Sequence, residues 1–261
     1  MSLSVLVSLL CVVLGLAVGS FLNVVVWRVP RKESVIRPPS ACPRCGHDIR
    51  WYDNVPVASW LVLRARCRDC GEPISWRYPA VEAATAVLFG AVALHLGPSV
   101  ALPAYLYLSA IAVALALIDL DTHTLPNAIV LPAYPVAAVL LLVATGVEGD
   151  WWALVRAAIG GAVLFVAYLL MALAYPGGMG LGDVKLAGVL GAYLAWLGWG
   201  VLAVGAFGAF VLGGLFGIAL VVSRRAGRKS GIPFGPWMIA GAFLGIFAGQ
   251  PLWDSYLGLM N

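Results

Sequence analysis

The sequence predicts an all-α polytopic membrane protein of about eight transmembrane helices, with one small polar insert between the first and the second. Three observations predict it. The 261 residues are 62% hydrophobic and only 11% charged, far from the balance of a soluble domain. The apolar residues gather into runs of roughly 20, the length that crosses a hydrocarbon core about 30 Å thick. The charges are confined to a few places: of sixteen Lys and Arg, ten lie from Arg28 to Arg77 and four more are Arg224, Arg225, Arg228 and Lys229.

The first run covers 3–27. Its "AVGS" resembles a signal cleavage site, but no Lys or Arg precedes the run and it stays apolar to Trp27, so it reads as an uncleaved span. Seven further runs follow at 79–97, 100–118, 126–146, 152–175, 184–199, 200–222 and 232–249. The division between the sixth and seventh spans rests on Gly198 and Gly200, flanked by Trp196 and Trp199, as an interfacial turn. Glycines in stretches such as "GAFGAFVLGGLFG" read as positions where helix backbones approach closely. These runs divide the chain into a first helix (1–27), an insert (28–78) and a seven-helix membrane domain (79–261). With eight spans and the amino terminus outside, both basic clusters and Lys185 face the cytoplasm, and only Arg156 lies on the outer side beside Glu148 and Asp150.

The insert carries "CPRCG" and "CRDCG". Two C-x2-C pairs, Cys42 with Cys45 and Cys67 with Cys70, present four sulfurs from two tight turns, which Gly46 and Gly71 allow to close. The spacing predicts a zinc-ribbon-like insert with a structural four-thiolate zinc site. Disulfides compete with this reading, but the insert faces the reducing cytosol. With four thiolates no position is left open for water, so the metal is structural. His47 reads as a surface residue, and Cys11 in the first span as a small packing residue.

Two aspartates stand at the ends of apolar runs. Asp119 closes the third span in "ALALIDLDTHTLPN"; Asp183 opens the sixth in "GLGDVKL" (180–186). The topology puts both at the cytoplasmic edge of the membrane. Asp at a helix start also serves as a cap and complements the dipole, but capping alone does not explain Gly180 and Gly182, which let a backbone approach the carboxylate. Two neighbouring carboxylates sharing one proton are the equipment of aspartic protease chemistry. Asp121 is the main rival to Asp119 as the paired acid. A metal site of Asp121 and His123 is the weaker reading of a short polar connector. Glu82, at the start of the second span, reads equally as an acidic helix start or as a contact for an amine or a nearby Arg.

Four segments in order, "GSFLNVVVWRVP" (19–30), the cysteine-bearing 42–82, "IDLDTHTLPN" (118–127) and "GLGDVKL" (180–186), resemble the type IV prepilin peptidases, which are similar to other GxGD intramembrane aspartic proteases. The resemblance implies catalytic roles for Asp119, which stands in the D-x6-P-(D/N) pattern ending at Asn127, and for Asp183 of G-x-G-D. It implies cleavage of type IV prepilins or pseudopilins after a Gly that ends a basic leader, on the cytoplasmic face of the bacterial inner membrane. The four cysteines match the branch that also methylates the new amino terminus with S-adenosylmethionine, although no strand–turn–helix glycine fingerprint marks a site for that donor. The insert is itself net basic, so its charge alone cannot select a basic leader. Lipid is an expected partner and nucleic acid is not. A membrane transporter, or a zinc-ribbon assembly adaptor without peptidase activity, is the alternative reading.

Overall fold

The computed structural model describes residues 2–175, 178–223 and 233–260. The basic cluster Arg224, Arg225, Arg228 and Lys229 lies outside them. Among the described residues, eight long helices match the eight apolar runs: α1 (Leu3–Arg28), α3 (Arg77–Leu96), α4 (Leu102–Thr122), α5 (Asn127–Glu148), α6 (Trp151–Ala174), α7 (Leu181–Leu197), α8 (Trp199–Val222) and α9 (Gly235–Gly258). A five-residue α2 (Ala58–Val62) and a 3-10 turn at Trp51–Asp53 belong to the insert. Six of the long helices, α1, α3, α4, α5, α6 and α8, have the length and apolarity to cross a membrane. Of the other two, α7 has only 17 residues, and the apolarity of α9 is diluted by Gly, Pro251 and Gln250. The chain is a multi-pass helical protein. The break between α7 and α8 falls at Gly198 alone, in extended backbone, while Gly200 is already inside α8, where an added Cβ would lie 2.5 Å from the Trp253 ring.

The chain forms two compact units, Met1–Ala114 and Leu115–Asn261. In the first, α1 packs on α3 through small residues four apart: a Cβ added at Gly15 or Gly19 would lie 2.7 Å from the Cα of Ala86 or Glu82. Apolar side chains gain nothing by leaving lipid for another helix, so close backbone packing has to supply the attraction. In the second unit α7 is the buried centre, with 186–191 and 193–196 enclosed. It meets α6 where Gly160 and Gly161 face Gly191, and α8 meets α9 where Gly205 faces Gly241 and Gly245. Arg156 donates from Nε and Nη2 to the carbonyls of Ala195 and Trp196 at 2.8 and 2.7 Å. A cation thus closes the C-terminal end of α7, where unpaired carbonyls concentrate negative charge.

Candidate active site

The aspartate site is assembled from four pieces of the second unit: the last turn of α4, the connector after it, and the first turns of α7 and α9. Asp119 is 5% exposed, one turn before α4 stops, and His123 ends the helix by turning to a φ of +53°. Its Oδ2 accepts the backbone N–H of Gly235, the first residue of α9, at 3.0 Å. Burying a carboxylate without donors is costly, and a first-turn amide is a donor that α9 itself cannot use. Pro236 follows at the position where a missing N–H does no harm and φ is already helical. Asp121, two residues on, is exposed.

Asp183 is half-buried in the first turn of α7. Its Oδ2 accepts the N–H of Gly180 at 3.1 Å, so the residue does cap its own helix. The two aspartates are near enough for the charge of Asp119 to be felt at Asp183. Leu125 of the connector lies against both pieces: a Cβ on Gly182 would sit 2.9 Å from the Cβ of Leu125, and one on Gly235 would sit 3.3 Å from its Cδ2 and 2.8 Å from Asp119 Oδ2. The bare backbone of Gly182 therefore admits Leu125 of the chain itself. Two hydrogen bonds tie α5 to α7 beside the site: Lys185 Nζ donates to Asn127 Oδ1 at 2.9 Å, and the Tyr134 hydroxyl donates to the Lys185 carbonyl at 2.6 Å. Tyr168, within electrostatic range of Asp183, packs with Phe210 and Phe234 at ring distances of 5.6 and 6.3 Å.

Each aspartate thus uses one oxygen to accept a backbone amide. Sequence reasoning passed over Gly235. The available signal was "PFGP" (233–236), a glycine set directly before a helix-starting proline.

The cysteine cluster belongs to the first unit and is built twice by the same local device. Cys42 N–H donates to the His47 carbonyl and Gly46 N–H to the Cys42 carbonyl, both at 2.9 Å; Cys67 N–H donates to Glu72 at 2.8 Å and Gly71 N–H to Cys67 at 3.0 Å. Gly46 and Gly71 take φ values of +72° and +73°, which an L side chain resists. The backbone N–H groups of Cys45 and then Arg44 donate to Cys42 Sγ and bring that thiol down to about 7. The four cysteines are free thiols with all four sulfurs within 4.8 Å of one another. A tetrahedral ion bonded to thiolates at about 2.3 Å has S···S edges of about 3.8 Å; Cys42 and Cys70 stand 3.7 Å apart. The donor set fits a metal ion. The insert is fastened by Arg68, which chelates Asp53 through Nε and Nη2 at 2.9 and 2.6 Å and holds that carboxyl below the usual range, and by Arg50 on Asp69 at 3.0 Å.

Multi-pass helices, two carboxylates at helix ends and a four-cysteine cluster in the insert after the first span are the features that a family has to account for. Residues 13–96 match the bacterial peptidase A24 N-terminal domain and residues 106–218 the type IV leader peptidase family. The chain is 37% identical to a prepilin leader peptidase/N-methyltransferase of Pseudomonas putida over 97% of its length and 94% of that protein's. Proteins of the same name are 35% identical in Pseudomonas aeruginosa, over 94% of this chain and 92% of that one, and 43% identical in Myxococcus xanthus, over 84% of this chain and 64% of that one. The chain belongs to the type IV leader peptidase family. No solved structure matches it.

Proposed function

We propose that this chain removes the leader of type IV prepilins or pseudopilins as an aspartic endopeptidase and N-methylates the amino terminus it exposes. The match to proteins of that name over nearly the whole chain carries this reading, and the transporter and adaptor readings have no comparable support. Asp119 and Asp183 are the proposed catalytic pair. One carboxylate takes a proton from water as that water's oxygen adds to the peptide carbonyl carbon; the protonated partner hydrogen-bonds the carbonyl oxygen as charge develops on it. The tetrahedral intermediate collapses, the C–N bond breaks, and the nitrogen leaves with a proton from the pair. One proton again remains between the two carboxylates. Because a coupled pair titrates as a unit, neither aspartate is given a fixed part.

The bacterial inner membrane is the proposed location, with the insert and both aspartates on the cytoplasmic side, as the excess of Lys and Arg in the insert supports. Domain limits of 1–27, 28–78 and 79–261 separate anchor, metal-binding insert and catalytic domain. Cys42, Cys45, Cys67 and Cys70 would hold a structural Zn2+, which the all-sulfur donor set favours in a reducing compartment. S-adenosylmethionine would supply an electrophilic methyl group to the new amine. The described residues include no strand–turn–helix glycine cradle, so no residue of this chain is assigned to that donor.

The test is cleavage of a model prepilin in liposomes by the wild type, Asp119→Asn, Asp121→Asn and Asp183→Asn, with the product's amino-terminal mass read in the presence of S-adenosylmethionine. Loss at Asp119 and Asp183 with activity kept at Asp121, and a product heavier by one methyl, is the expected result. Cleavage surviving in both Asp119→Asn and Asp183→Asn would overturn the catalytic assignment.

A further inference from the structure

Glu82 is a carboxylate that the peptidase chemistry does not use. It is 8% exposed and lies five residues inside α3, about 7.5 Å along the helix from Arg77 at 1.5 Å per residue. Its Oε2 accepts the backbone N–H of Val57 at 2.7 Å, and its carboxylate is also hydrogen-bonded by the side chain of Ser20. Ser20 is eight residues, about 12 Å, before the charged end of α1 at Arg28. Both helices mark their water-facing ends with interfacial aromatics: Trp27 with the Arg31 guanidinium 3.6 Å from its ring centre on α1, and Trp76 and Tyr78, 73% and 51% exposed, at the start of α3. Val57 is therefore held below the level of these markers, by an acid that both helices bury.

Val57 is the residue from which α2 starts. Five helical residues rise only about 7.5 Å and the Glu82 side chain itself leans about 4 Å toward the start of α3, so even if α2 climbed straight along the membrane normal its end would come only about 4 Å above the level of Arg77. Yet its last residues, Leu61 and Val62, are 62% and 76% exposed. A cavity of about 190 Å³ opens beside them, lined by Val55, Val62, Leu63, Tyr52, Asp53 and Arg68. Arg64 and Arg66, both exposed, follow α2 directly.

We propose that α2 is an interfacial anchor: the bilayer itself covers Leu61, Val62 and the groove beside them, while Arg64 and Arg66 meet anionic headgroups and Glu82 latches the element at that depth. The headgroup layer is some 5–8 Å thick on each side, which matches the range of depth available to α2, and apolar side chains immersed there with arginines above them are the pattern of a monotopic element. The insert is then a module pinned into the membrane at its middle as well as at its two ends, and its metal cluster is held at a fixed height.

The full chain is reconstituted in nanodiscs of phosphatidylcholine and phosphatidylglycerol, with a genetically encoded fluorescent amino acid at position 62 or, on the cysteine knuckle, at position 48. Brominated acyl chains are expected to remove most of the emission at 62 and little at 48. Quenching at 62 should weaken in Glu82→Leu, which keeps α3 apolar but removes the latch. An unquenched label at 62, or equal quenching at both positions, overturns the anchor; quenching at 62 that is unchanged in Glu82→Leu overturns the latch.

Discussion

The cysteine cluster and the aspartate site solve the same problem, bringing like donors together, by opposite routes. Each cysteine knuckle closes within about six residues on its own backbone hydrogen bonds, Cys42 to His47 and Cys67 to Glu72, and the two knuckles are copies. The aspartate site has no such local plan. Asp119 finds its donor 116 residues away at Gly235, and Leu125 lies against both Gly182 and Gly235. A locally built cluster should depend on its ligand for order, whereas a site spread over three helix ends and a connector should depend on packing.

Metal removal is the strongest way to separate them. Structural thiolate sites contribute about 10 kcal/mol or more of folding free energy, so a zinc chelator should abolish hydrogen-exchange protection at 42–47 and 67–72. It should leave α7 and α9 protected; collapse of both regions together would end the contrast. Next comes the chemistry: Asp119→Asn or Asp183→Asn should lower kcat for leader cleavage by about a thousandfold or more without altering helical content or metal stoichiometry. Gly235→Ala should act less severely. Its Cβ would press on Asp119 Oδ2 and loosen a charge-assisted hydrogen bond of roughly 1.5–3 kcal/mol, so kcat should fall about ten- to a hundredfold with KM little changed. An unaffected kcat would show that the α9 amide does not set the carboxylate.

The smallest effect belongs to the insert. Arg68 depresses the carboxyl of Asp53, so that pair stabilises the fold above the ordinary Asp range near 3.9 and loses its contribution as pH falls through the lowered folded value. Wild type and Asp53→Asn should therefore differ in melting of the insert at neutral pH and converge in acid. A gap that widened in acid would contradict the ion pair's role.

How legible each region was follows from how it is built. Each knuckle could be read from five letters, because two thiols and a glycine with positive φ define its turn without outside help. The helices were legible because lipid leaves a backbone little else to do, and their ends fell within a few residues of the apolar runs except at α9, which continues nine residues past 249 to Gly258. Asp119 and Asp183 stood out as charges where charge is expensive. Gly235 did not, because one glycine among thirty acquires meaning only when a carboxylate arrives from another helix.

Composition and spacing by themselves therefore determined the membrane class, the long helices, the four-cysteine cluster and two acids out of place, each a property of a short stretch of chain. The tertiary structure alone decided that Asp119 rather than Asp121 is buried, that Leu125 lies against Gly182, that the first amide of α9 reaches Asp119, and that Glu82 of α3 accepts the amide of Val57, from which α2 starts. These are contacts between segments far apart in sequence, and nothing in either segment encodes its partner.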